Sequence, residues 1–170
     1  MMKLKHQTGF TLVELLLYLA TASILMLAIT SFAILLSESR IKHRTISEVE
    51  QQGHFLMDQM TQAIRNSESV TGPTAGASSS SLTLDVIDSG ADPTIFAVSS
   101  GTLQQQEASL TTNLSSSTVT VENLVFQNLS RENTPATVEV SFTVTSVNPS
   151  GRNEFDFTQD FKSSATVRYD

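Results

Sequence analysis

With 170 residues, a formal net charge of −7 and no cysteine, the chain has room for one domain plus an appendage. The missing thiols exclude a disulfide framework, a thiolate metal site, a cysteine nucleophile and a lipid-bearing anchor cysteine. Only 10 Lys and Arg are present, none forming a basic stripe in the second half, so nucleic-acid binding by that half is not expected.

The apolar residues are unevenly placed. From Phe10 to Leu36 nearly every residue is apolar or small, and Glu14 is the single charge. As a helix this stretch would be about 40 Å long, against about 30 Å for a bilayer core, and it holds no Gly or Pro to kink it. Membrane insertion is the direct reading. A secretory signal peptide would use Lys3 and Lys5 as its charged start and Ala20-Thr21-Ala22 as its cleavage site. Against that reading, the apolar run continues from Ile24 to Leu36 and a carboxylate interrupts it. A plain single-pass anchor, tethering an extracytoplasmic binding domain, explains the length but not Glu14. An ionisable residue in a spanning segment costs about 2.5–3.5 kcal/mol even on lenient scales and is functional by default.

Taken in order, Lys3, Lys5 and His6 lead into Gly9-Phe10-Thr11-Leu12-Val13-Glu14-Leu15-Leu16. This closely resembles the prepilin signature of type IV pilins and type II secretion pseudopilins. The resemblance implies that residues 1–9 are a leader, that a prepilin peptidase cuts after Gly9, and that Phe10 becomes the N-methylated first residue. It further implies that Glu14 pairs with the freed Phe10 amine of a neighbouring subunit during assembly. The expected partners are that peptidase, other pilin or pseudopilin subunits, an inner-membrane assembly platform and membrane lipid. The expected location is the cytoplasmic (inner) membrane with the head outside the cytoplasm, then a periplasmic or cell-surface filament. Arg40, Lys42 and Arg44 follow the apolar run as Lys3 and Lys5 precede it, so charge counting does not orient the segment. A cytoplasmic leader is what the resemblance implies.

Beyond Leu36 the helix is expected to continue over residues 37–66 as an amphipathic extension. Ile46, Val49, Gly53, Leu56, Met60 and Ile64 recur at spacings of three or four, with Glu48, Gln52, Asp58, Gln59, Gln62 and Arg65 between them. Glu38 lies four residues before Lys42, a favourable helical pair. Gly53 weakens the helix locally but permits close approach of a sheet. Residues 67–81, with Gly72-Pro73, Gly76 and a run of serines, read as a linker.

From residue 82 the period becomes two. Candidate strands are Leu82–Val86, Thr94–Ser99, Thr102–Glu107, Val119–Val121 running on to Leu124–Phe126, Val138–Val144, Phe155–Phe161 and Thr166–Arg168. The expected architecture is α+β, a long N-terminal helix packed on an antiparallel sheet in a β-rich head spanning 82–170, as in pilins. The stretches Leu56–Arg65 and Val121–Phe126, with Pro135 shortly before Val138-Glu139-Val140, resemble J-type minor pseudopilins and PilW-like minor pilins. Ser31 stands in the region where major pilins carry a mid-helix proline, which favours a minor subunit.

Enzymatic motifs are lacking. No nucleophile elbow or phosphate loop occurs, and His6, His43 and His54 are too few and too dispersed for a zinc site. Asp85, Asp88 and Asp92 flank a turn where Ca²⁺ could gather carboxylates, but their spacing is not that of an EF-hand. No cofactor is expected, and the peptidase and assembly ATPase would be other proteins. Secretion, DNA uptake, adhesion and motility all remain open at this level.

Overall fold

A computed structural model describes residues 10–168. Its first element is α1, Leu12–Asn66. The chain forms two compact units, Met1–Arg40 and Ile41–Asp170.

In the first unit α1 is apolar on every side, and none of its best spanning window is buried, at a mean hydropathy of 2.3. A helix apolar all round belongs in lipid or in a core. Four of its hydroxyls are satisfied internally: Thr21 donates to the carbonyls of Leu17 and Tyr18, Ser23 to Leu19, Thr30 to Met26 and Ser31 to Leu27. Each bond returns to the preceding turn, so these four hydroxyls need no partner from outside the helix.

In the second unit the helix is amphipathic. Thr45, Val49, Gly53, Leu56, Met57, Met60, Thr61 and Ile64 are buried. Ile46, expected in the stripe, is half-buried, and Thr45 takes the inward position instead. Thr45 can do so because its hydroxyl donates to the Ile41 carbonyl at 3.1 Å.

Two antiparallel sheets accompany this half of the helix. The first has strand order β1-β3-β4-β5-β6 and the second β2-β7-β8-β9. Their strands are β1 Ser69–Gly72, β2 Ser78–Ser79, β3 Ser81–Asp85, β4 Thr94–Ser99, β5 Thr102–Glu107, β6 Leu110–Asn113, β7 Val119–Asn128, β8 Thr137–Ser146 and β9 Thr158–Thr166. The α+β class expected from the pattern is therefore present, with two sheets where one was expected. Both sheets meet the helix in a single core. Leu82, Leu84, Phe96 and Leu103 come from the first sheet, and Val121, Phe126, Val140, Phe142 and Phe161 from the second. All join Val49, Leu56, Met60 and Ile64. Burying each such side chain stabilises by about 1.5–3 kcal/mol.

Three expectations require correction. Residues 67–81 are not a bare linker: β1 and β2 lie within them, one in each sheet. The stretch Phe155–Phe161 is not one strand. A 3₁₀ turn spans Asn153–Phe155, and β9 then runs unbroken through Thr166, uniting what read as two strands. β6 was not anticipated at all; its four residues are all exposed, so no alternation marks it.

β7 changes face midway. Val119 and Val121 point inward, as do Leu124, Phe126 and Asn128. The register against β8 shifts between Glu122 and Val125, where Asn123 takes φ 53°. Asn tolerates this left-handed conformation better than most residues, and the resulting bulge moves inward positions from odd to even numbers. β9 is an edge strand, and the helix runs alongside it in the same direction. Lys42 reaches the carbonyls of Asn153 and Asp156 before the strand, Gly53 faces Phe161 at its middle, and the Arg168 amide donates to Arg65 O at 3.2 Å beyond it.

Candidate functional site

The residues singled out by the sequence lie at the start of α1. Gly9 lies outside the described residues. Phe10 is 74% exposed and meets Tyr18 edge to face, with ring centroids 6.1 Å apart. Thr11 precedes the first helical residue, and its hydroxyl oxygen accepts from the Glu14 amide at 3.3 Å. The Thr11 carbonyl accepts the first intrahelical bond, from the Leu15 amide at 3.1 Å. Thr11 is therefore the N-cap and Glu14 the third helical residue, the positions of a Thr-x-x-Glu capping box. The sequence reasoning overlooked this cap, although a Thr three residues ahead of a Glu is its ordinary signature.

Glu14 also lies in the first turn, where a carboxylate complements the helix dipole. Around it Leu12, Val13, Leu15, Leu16 and Leu17 are all exposed. Among the described residues no cation pairs with Glu14. The site is thus a lone carboxylate, one turn into an uncovered apolar helix that an aromatic residue precedes.

The other candidates serve the head's own structure. Asp88 Oδ1 accepts from the Gly90 amide at 2.9 Å, Asp92 Oδ1 from the Val86 amide at 3.4 Å, and Asp85 Oδ2 from the Ser69 hydroxyl at 3.3 Å. Each carboxylate thus binds a local donor in its turn or strand pair. Among the described residues no group of three His, Asp or Glu converges as a metal site. His54 is exposed, with its ring edge-on to Phe161 at 5.5 Å; His43 is likewise exposed, and His6 lies outside the described residues.

At the other end of the helical stripe, Lys42 donates to Asn153 O at 3.1 Å and to Asp156 O. These charge-assisted bonds hold the Asn153–Phe155 turn against the helix. Beside them a groove of about 550 Å³ is lined by Ile41, Arg44, Glu48, Val147, Pro149 and Phe155, among others.

The chain matches no protein-family model, and neither a curated protein nor a solved structure matches it significantly.

Proposed function

We propose that the chain is a minor pilin or pseudopilin, a structural subunit of a type IV pilus-like or type II secretion filament and not an enzyme. The observation that carries this reading is Glu14, a carboxylate without a cation among the described residues of its own chain, in an apolar helix uncovered on all sides. The prepilin-like order Gly9-Phe10-x-x-x-Glu14 supports it. In this reading prepilin peptidase cuts after Gly9, Phe10 is N-methylated, and Glu14 meets the Phe10 amine of a neighbouring subunit. That amine exists only after cleavage, so the pairing couples processing to assembly and sets axial register. Desolvation offsets much of the Coulomb gain, so the pair contributes specificity more than stability. The inner membrane holds the subunit, with its pilin-like head outside the cytoplasm, until the assembly platform draws it into the filament.

The Thr11 cap favours a second reading. There Glu14 serves only its own helix, and the chain is a single-pass tether for an extracytoplasmic binding head that joins no filament. The capping box accepts Gln as well as Glu, whereas pairing with an amine requires the charge. Glu14→Gln therefore separates the two. Under the filament reading Glu14→Gln and Glu14→Ala are both cut and inserted normally, and both are depleted from crosslinked subunit complexes. Wild-type incorporation of Glu14→Gln would refute the pairing. Mass spectrometry of protein from its own host is expected to find a chain beginning at methylated Phe10; recovery of intact protein alone, or of a chain beginning at Ser23, would refute the processing.

A further inference from the structure

The groove beside Lys42 has no part in the reading above. Its walls are fixed. The Val147 amide donates to Thr118 O at 2.9 Å and the Ser146 amide to Phe157 O at 2.9 Å, while Lys42 pins the turn that carries Phe155. Ile41, Val147, Pro149 and Phe155 supply its apolar wall, with Thr45, Ser117, Thr118 and Ser146 beside them, and Val147 is 43% exposed. Its two charged lining residues are Arg44 and Glu48. Lys42 is committed to backbone carbonyls. Arg152 pairs with Glu154 and lies over the Phe155 ring at 5.8 Å. Arg44 is exposed and, among the described residues, has no ion-pair partner.

Ile41 follows Leu36, the end of the apolar run, by five residues, a reach of at most about 18 Å in any conformation. The groove therefore belongs to the part of the head that must stay near the bilayer surface while the apolar segment is inserted. The head's first residues include the cations Lys42 and Arg44, with no acid before Glu48. An apolar cleft rimmed by an uncommitted guanidinium suits a molecule with a phosphate head and an acyl stem, because the planar fork grips phosphate oxygens and the cleft takes methylenes.

We propose that this groove seats an anionic phospholipid of the leaflet on the head side, with Arg44 on the phosphate and Val147, Pro149 and Phe155 against the first acyl carbons. The inference rests on the membrane-inserted reading above. It assigns the 146–155 loop to lipid contact, holding the head at the membrane before assembly.

The chain contains no Trp, so single-Trp variants of the full chain report depth directly. Leu25→Trp, Val147→Trp and Ile87→Trp, all at exposed positions, would be reconstituted in vesicles of phosphatidylglycerol or phosphatidylcholine carrying lipid-borne quenchers. Leu25→Trp is expected to be quenched from the acyl chains and Val147→Trp from the headgroup region, while Ile87→Trp is not quenched. Val147→Trp quenching should be several-fold stronger in phosphatidylglycerol. Adding Arg44→Gln should weaken that preference about fivefold, the effect of one basic residue near an anionic surface, with the circular dichroism unchanged. If Leu25→Trp is quenched and Val147→Trp behaves like Ile87→Trp, the groove proposal is wrong and membrane insertion stands. Equal quenching in both lipids, or an Arg44→Gln variant that keeps its preference, refutes the anionic headgroup. If Leu25→Trp itself escapes quenching, insertion fails and the groove proposal falls with it.

Discussion

Glycine inside a helix costs about 1 kcal/mol relative to alanine, so Gly53→Ala taken alone should stabilise the head. The structure reverses that sign. A Cβ built on Gly53 falls 2.0 Å from Phe161 Cζ, 2.2 Å from Cε2 and 2.5 Å from Cε1, whereas carbon atoms in good contact stand about 3.5–4.0 Å apart. Either the ring or the helix must move by about 1.5–2 Å. The ring has little room, being 6% exposed and stacked on Phe142 at 5.5 Å with 19° between planes. His54 closes its edge, also at 5.5 Å. Overpacking of this kind costs about 1–3 kcal/mol, and subtracting the propensity gain leaves Gly53→Ala destabilising by up to about 2 kcal/mol. Phe161→Ala alone should cost about 3–5 kcal/mol. In that background the added methyl meets a cavity, so Gly53→Ala should become stabilising by about 1 kcal/mol. The double-mutant cycle, read by urea unfolding of a fragment beginning at Ser37, thus has a change of sign built into it. Stabilisation by Gly53→Ala in the wild-type background, or the same effect in both backgrounds, would refute the argument that Phe161 sets this contact.

Four further outcomes are expected. The fragment from Ser37 onward should be soluble and monomeric and unfold cooperatively, since the core lies in the unit Ile41–Asp170; sedimentation and circular dichroism would check this, and partition into vesicles would contradict it. Asn123→Val should destabilise the head by about 1–2 kcal/mol, because a β-branched residue resists the positive φ of the β7 bulge, while Asn123→Gly should be tolerated; thermal unfolding distinguishes them. Asn128 is 3% exposed, donates to Pro73 O at 2.7 Å and accepts from the Ser130 amide at 3.0 Å. Asn128→Leu should therefore cost about 1–3 kcal/mol through buried groups left without partners, with early proteolysis in the 72–78 segment as a second readout. Under the proposed processing, a bulky residue at Gly9 should leave residues 1–9 attached, visible as a heavier band, because a protease must draw extended backbone close and glycine permits the approach.

Much of this molecule was legible locally. The apolar run, the amphipathic stripe and strands β4 and β5 could be read residue by residue, because a helix facing one core and a strand facing one core each impose their own period on the sequence. Close approach at Gly53 could also be anticipated, since glycine on an inward helical face leaves room for little else. Glu14 stood out because charge in such a segment has to be explained. The Thr11 cap, equally local, was open to reading and was missed.

The remaining features depended on partners far away in the chain. Alternation says which residues face inward but not which strand lies alongside, so the division into two sheets with the orders β1-β3-β4-β5-β6 and β2-β7-β8-β9 is a tertiary decision. β6, exposed on all four residues, and the two-residue β2 exist through backbone hydrogen bonds to β5 and β7, and backbone pairing leaves no mark on side-chain pattern. The same holds for the company each residue keeps. That the ring opposite Gly53 is Phe161, that Lys42 ties down a turn more than a hundred residues later, and that Arg44 is left uncommitted beside an apolar groove all follow from how the folded head brings distant segments together, and distance along the chain conceals it.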